Sequence, residues 1–104
     1  MYRFQIKISD KNNEEKIKNY QILSFERLSE RNIIVEYIPL ANDKLFNLNK
    51  EIRNFFNIEI SLFDRDGNLS EKSTFIHYIL DDYSYKVDYS DVGNLKVKLF
   101  FKKD

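Results

Sequence analysis

With 104 residues, 42% of them apolar and 15% aromatic, the chain is long enough for one hydrophobic core, too apolar to stay unfolded, and without any apolar run long enough for a membrane-spanning helix. Its 17 basic and 17 acidic residues cancel and form no basic stripe of the kind that anchors nucleic acid. Cysteine is absent, which excludes disulfides, thiol nucleophiles and thiolate metal sites.

One domain over residues 1–104 is expected. Its opening stretch, MYRFQIKISD, places Tyr2, Phe4, Ile6 and Ile8 on one face and Arg3, Gln5 and Lys7 on the other, the period of a half-buried strand. It shows no signal-peptide core, so export by that route is not expected. A polar loop, Asp10 to Lys16, follows. Its charges cannot enter a core, so it must project into solvent or onto a neighbour.

Residues 17–28 fit two periods. As a helix Ile17, Tyr20, Leu23 and Leu28 share a face, and as a strand Tyr20 and Ile22 oppose Leu23 and Phe25. Residue types favour the strand. Residues 33–38, IIVEYI, read as a strand stopped by Pro39, the only proline. One helix is predicted next, capped by Asn42 or Asp43, with Leu45, Leu48, Ile52, Phe55 and Phe56 within about 100° of a helical wheel.

The last half is strand-rich. Residues 58–62, 74–80, 83–89 and 95–101 are each bounded by a turn signal, DRDGN, DD or SDVGN. The predicted fold class is therefore mainly β with one short helix packed on an antiparallel sandwich or small barrel of six or seven strands.

Chemical signals are sparse. Asp64, Asp66 and Asn68 around Gly67 invite a calcium-loop reading, but Leu62 and Ser73 stand where an EF-hand needs acids, and Asp-Gly between apolar runs marks a hairpin turn. His77 alternates with Ile76 and Tyr78 in a predicted strand, and Asp81-Asp82 reads as a solvated turn before it reads as half of a carboxylate pair. Lys96, Lys98, Lys102 and Lys103 interleave with Phe100 and Phe101, an arrangement that base stacking would use and that the wet face of a strand also produces. Tyr83, Tyr85, Val87 and Tyr89 form a face that reads equally as an interface and as the side of a core. No catalytic residue, cofactor or metal ligand is predicted. Ile, Lys, Asn, Phe and Tyr together supply roughly half of the chain, the usage of an AT-rich bacterial or viral genome.

In the order of its elements the chain resembles the tube proteins of contractile phage tails and their Hcp-like relatives in type VI secretion. IKNYQILSFERLSE is similar to the family's opening hairpin and LFNLNKEIRNFF to its single helix. IEISLFDRDGN resembles its strand and aspartate-glycine turn, STFIHYILDDYSYKVDYSD the following pair, and NLKVKLFFKKD the closing strand. The resemblance implies a structural subunit, not an enzyme, forming six-membered rings that stack into a tube around DNA or an effector, which passes without sequence-specific binding. Copies of itself, and other tail, sheath and baseplate proteins, are the implied partners, in a virion tail or injection apparatus assembled in the bacterial cytoplasm, with no membrane partner. Asp10, Lys11, Asn12, Asn13, Glu14 and Glu15 in the first loop are the subunit contacts that the resemblance implies, and Tyr83, Tyr85 and Tyr89 of the tyrosine face are the further interface candidates. The alternative reading is a small phage or mobile-element protein that binds and inhibits one host protein.

Overall fold

A computed structural model describes residues 3–40, 48–88 and 94–104. These form a mainly β protein with seven strands in one antiparallel sheet: β1 (Arg3–Asp10), β2 (Glu15–Ile17), β3 (Ile22–Ser29), β4 (Asn32–Tyr37), β5 (Phe55–Phe63), β6 (Leu69–Asp88) and β7 (Asn94–Lys103). The only α-helix described, α1, is Leu48–Glu51. Strands run across the sheet in the order β2-β1-β5-β6-β7-β4-β3.

β6 organises this sheet. Its first half pairs with β5, from Leu69 opposite Phe63 to Ile79 opposite Phe55, and its second half pairs with β7, from Tyr78 opposite Lys103 to Asp88 opposite Asn94. Only Tyr78 and Ile79 pair on both sides, so the strand belongs to two wings, β2-β1-β5-β6 and β6-β7-β4-β3. Between the wings two β6 residues, Ile76 and His77, face the single Asn57 of β5, and the backbone turns at His77, whose φ is 59°. Asn57 Oδ1 accepts the His77 N–H at 3.1 Å, repairing the gap that the bulge opens in the ladder.

The two edges of this sheet are adjacent in sequence. Four residues, 18–21, separate β2 from β3, and their five Cα steps reach about 17 Å at most. Seven strands laid flat would put the outer two about 29 Å apart, so the sheet must roll until its edges approach. A 3₁₀ turn, Asn19–Gln21, clasps them. Asn19 Oδ1 accepts the Ile6 N–H of β1 at 2.8 Å, while Gln21 accepts the Ile38 N–H on its carbonyl at 2.9 Å and donates its amide to the Ile38 carbonyl at 3.1 Å.

The core lies between the wings. Ile8, Phe56 and Ile58 of one wing and Ile33, Val35, Val97, Leu99 and Phe101 of the other are buried, with Tyr78 and Leu80 at the bend. The rings of Phe56 and Phe101 meet edge-on at 5.7 Å. Tyr78 donates its hydroxyl to the Glu30 carbonyl at 2.6 Å, tying the bend to the β3–β4 turn.

Several sequence expectations change. The predicted helix is cut short, because Arg53 adopts a left-handed φ of 72° and Asn54 donates backbone and side-chain N–H groups to the turn behind it, to Glu51 and Lys50. Phe55 and Phe56 then open β5, where Phe56 and Ile58 alternate into the core. The start of that helix prediction, residues 42–47, lies outside the described residues. Asp81-Asp82 is not a turn, since β6 runs through it with a register shift between Leu80 and Asp82. The expected strand over 17–28 is broken: Ile17 ends β2, Asn19–Gln21 form the 3₁₀ turn, and β3 begins only at Ile22. The first polar loop is shorter than expected, because Asp10 ends β1 and Glu15 and Lys16 belong to β2.

Candidate functional site

Two hairpin loops share one construction. In Asp64–Asn68 the Asp64 carboxylate Oδ1 accepts the N–H groups of Asp66 and Asn68, both at 2.9 Å, and Gly67 turns at a φ of 84°. In Asp10–Glu14 the Asp10 Oδ1 accepts the N–H groups of Asn12 at 2.9 Å and Glu14 at 3.0 Å, and Asn13 turns at 62°. Each loop closes with the same two backbone bonds, first N–H to fifth carbonyl and fourth N–H to first carbonyl. DRDGN is thus the turn its sequence announced, and the first loop is its counterpart with Asn13 in the glycine position.

These bonds organise the loops from within. The Glu14 N–H above all, helped by that of Asn12 and by Lys16 at 3.7 Å and opposed by burial, holds the Asp10 carboxyl below its ordinary range. Lys11, Asn12, Asn13 and Glu14 are exposed, and Glu15, half-buried, pairs with Lys18 at 3.7 Å. This loop sits where Asp10 faces Phe56, whereas Tyr83 and Tyr85 face Leu99 and Val97 in the other wing. Their rings lie 5.3 Å apart. Burial of its hydroxyl, then the Tyr83 hydroxyl, raises the Tyr85 phenol above its ordinary range. Tyr89 lies outside the described residues.

The catalytic candidates remain dispersed. Asp82 Oδ1 accepts the N–H of its neighbour Tyr83 at 2.8 Å, and the His77 ring packs against Phe55 at 5.7 Å with the two planes tilted by 55°. Among the described residues no three acids or histidines cluster as a metal site. Lys98 and Lys102 are exposed while Val97, Leu99 and Phe101 are buried, so those two lysines lie on the wet side of β7, Phe101 is core, and Lys103, on the Phe101 side of the strand, reaches over the Tyr78 ring at 5.4 Å.

The open feature of the molecule is the edge strand β3. It pairs only with β4 and, among the described residues, no side chain occupies the backbone groups of its outer side. The other edge is guarded in part: the three-residue β2 covers Ile8 and Ser9 of β1, Lys16 pairs with Asp10 and Glu14, and Asn19 caps Ile6. Beside β3 the rolled sheet leaves a cleft of about 380 Å³ between Phe4, Ile6 and Ile60 of one wing and Ile22, Leu23 and Phe25 of the other. Phe4, Leu23 and Leu28 are 57%, 47% and 56% exposed. Phe25 stacks on Phe75 at 6.1 Å, and the Arg27 guanidinium lies 5.3 Å over the same ring. No sequence signal marked this cleft, although the apolar residues of ILSF within the ambiguous 17–28 stretch form one of its walls.

No protein-family model matches this chain, and no curated protein matches it significantly in sequence.

Proposed function

We propose that the protein is a self-assembling structural subunit of the tail-tube kind, its two wings acting as the layers of a small sandwich or barrel and its copies joining edge to edge. One observation carries this reading: the outer edge of β3 has no strand partner among the described residues, and exposed leucines at positions 23 and 28 flank its regular stretch, Ser24–Arg27. Between its register shifts at Leu23 and Leu28, the regular stretch Ser24–Arg27, without proline or lysine, is a template for another strand. Head-to-tail pairing around a closed ring satisfies such an edge and limits growth, and the exposed loop Lys11–Glu14 supplies a charged tip for contact between stacked rings.

The test is sedimentation velocity with electron microscopy across a concentration series. Rings or tubes are expected from the intact protein, and Leu23→Lys with Leu28→Lys, both at exposed positions, should leave a folded monomer. A monomer from the intact protein at every concentration would refute self-assembly. A specific observation favours the second reading, inhibition of a host protein: the apolar cleft lies beside the same edge and would grip a foreign segment as well as a copy.

A further inference from the structure

We propose that the cleft between β1 and β3 receives an extended segment of a different protein, apolar at alternate positions and carrying one acidic side chain opposite Arg27. The inference stands apart from assembly of copies, because it rests on the chemistry of the cleft wall. A strand added to β3 finds the backbone partners that this edge lacks. Its side chains then alternate between the cleft and solvent.

The pattern required of the guest follows from the β3–β4 register. Phe25 faces Val35 and Arg27 faces Ile33, and both partners are buried, so Phe25 and Arg27 share the core side of β3. Guest side chains on that side meet first the apolar wall of Phe4, Ile6, Ile60 and Phe25. One strand step further they meet the Arg27 guanidinium, which lies 5.3 Å over the Phe75 ring and has no carboxylate partner among the described residues. An apolar residue followed two positions later by aspartate or glutamate complements both. A second copy pairing β3 with β3 about a two-fold does not supply this, since same-face partners then have positions of equal parity and Glu26 points to the side opposite Arg27.

The probe is a short fluorescein-labelled peptide alternating threonine and valine, with glutamate in place of one central valine, beside counterparts carrying glutamine there or prolines at the threonines. Binding is followed by anisotropy at protein concentrations where sedimentation shows a monomer, and mapped by amide shifts. The glutamate peptide should bind about tenfold tighter than the glutamine one, as a charge-assisted bond to Arg27 requires, and should shift β3 amides. Arg27→Gln should erase that difference, and the proline peptide should not bind. Equal affinities for the glutamate and glutamine peptides, shifts confined to other strands, or no binding would each overturn the proposal. Peptide binding without rings or tubes would leave it standing while self-assembly fell, and rings with no peptide binding would do the reverse.

Discussion

His77→Val separates what the sequence pattern implies from what the backbone does. A residue between Ile76 and Tyr78 reads as mid-strand, where valine should gain a few tenths of a kcal/mol. In the structure His77 sits at a φ of 59°, a left-handed conformation that histidine tolerates better than a β-branched side chain, so valine adds about 1 kcal/mol of backbone strain to what histidine already carries. Valine also loses the ring contact with Phe55, worth about 0.5 kcal/mol at an exposed site. The variant should therefore be about 1.5 kcal/mol less stable in urea titrations, with a Tm lower by about 8 °C for a domain of this size. His77→Asn loses the same ring but accepts the left-handed backbone, so its loss should stop near 0.5 kcal/mol. A valine variant as stable as the parent would refute the bulge and, with it, the single bent β6 that joins the wings.

The Asp64 loop should respond to bonding and not to charge: Asp64→Asn keeps an acceptor oxygen and should cost little, whereas Asp64→Ala, leaving two turn N–H groups to water, should cost about 1 kcal/mol by urea melts. Gly67→Val should cost about 1–2 kcal/mol from its backbone conformation alone, since an added Cβ meets nothing within 4 Å. Asp10 has a depressed folded-state pKa, so its contribution is complete above the unfolded carboxyl value of about 3.9 and is lost as pH falls through the lower folded value. The stability gap between the parent and Asp10→Asn should accordingly be flat from neutrality to about pH 5 and close below about pH 4, as read by melts across that range. Gln21→Ala strips the bond to the Ile38 carbonyl and the acceptor of the Lys18 N–H, and should cost about 2–3 kcal/mol by the same melts.

Period-2 alternation located β4, β5 and β7 because each alternates into the core, and it located β1 although only Ile8 of its predicted apolar face is buried among the described residues, Phe4 and Ile6 lining the cleft. It failed where two periods coincide. Leu48, Ile52, Phe55 and Phe56 satisfy a helix, yet Phe56, Ile58 and Ile60 satisfy a strand, and pairing of Phe56 with both Asp10 and Tyr78 decides for the strand. Asp81-Asp82 resembled a turn because acids also suit a bulge at the solvent side of a bent strand. The DRDGN turn was legible because its signal is local, whereas the Asp10 loop, built the same way, lacks the glycine that would have announced it. The β3 cleft had no such local mark, because its walls come from residues 4, 6, 22–25 and 60 and exist only once the sheet has rolled.

The β3 edge as the assembly surface is tested most directly by amide hydrogen exchange of the intact protein at low and high concentration. In dilute solution the amides of Ile22–Ser29 that point away from β4 should exchange quickly, as unpaired edge groups do, while those of the guarded Ile6 edge should not. At concentrations where rings or tubes appear, the same β3 amides should become protected together. Assemblies that form with the β3 amides still exchanging freely would contradict the edge-pairing account and move the contact elsewhere on the molecule.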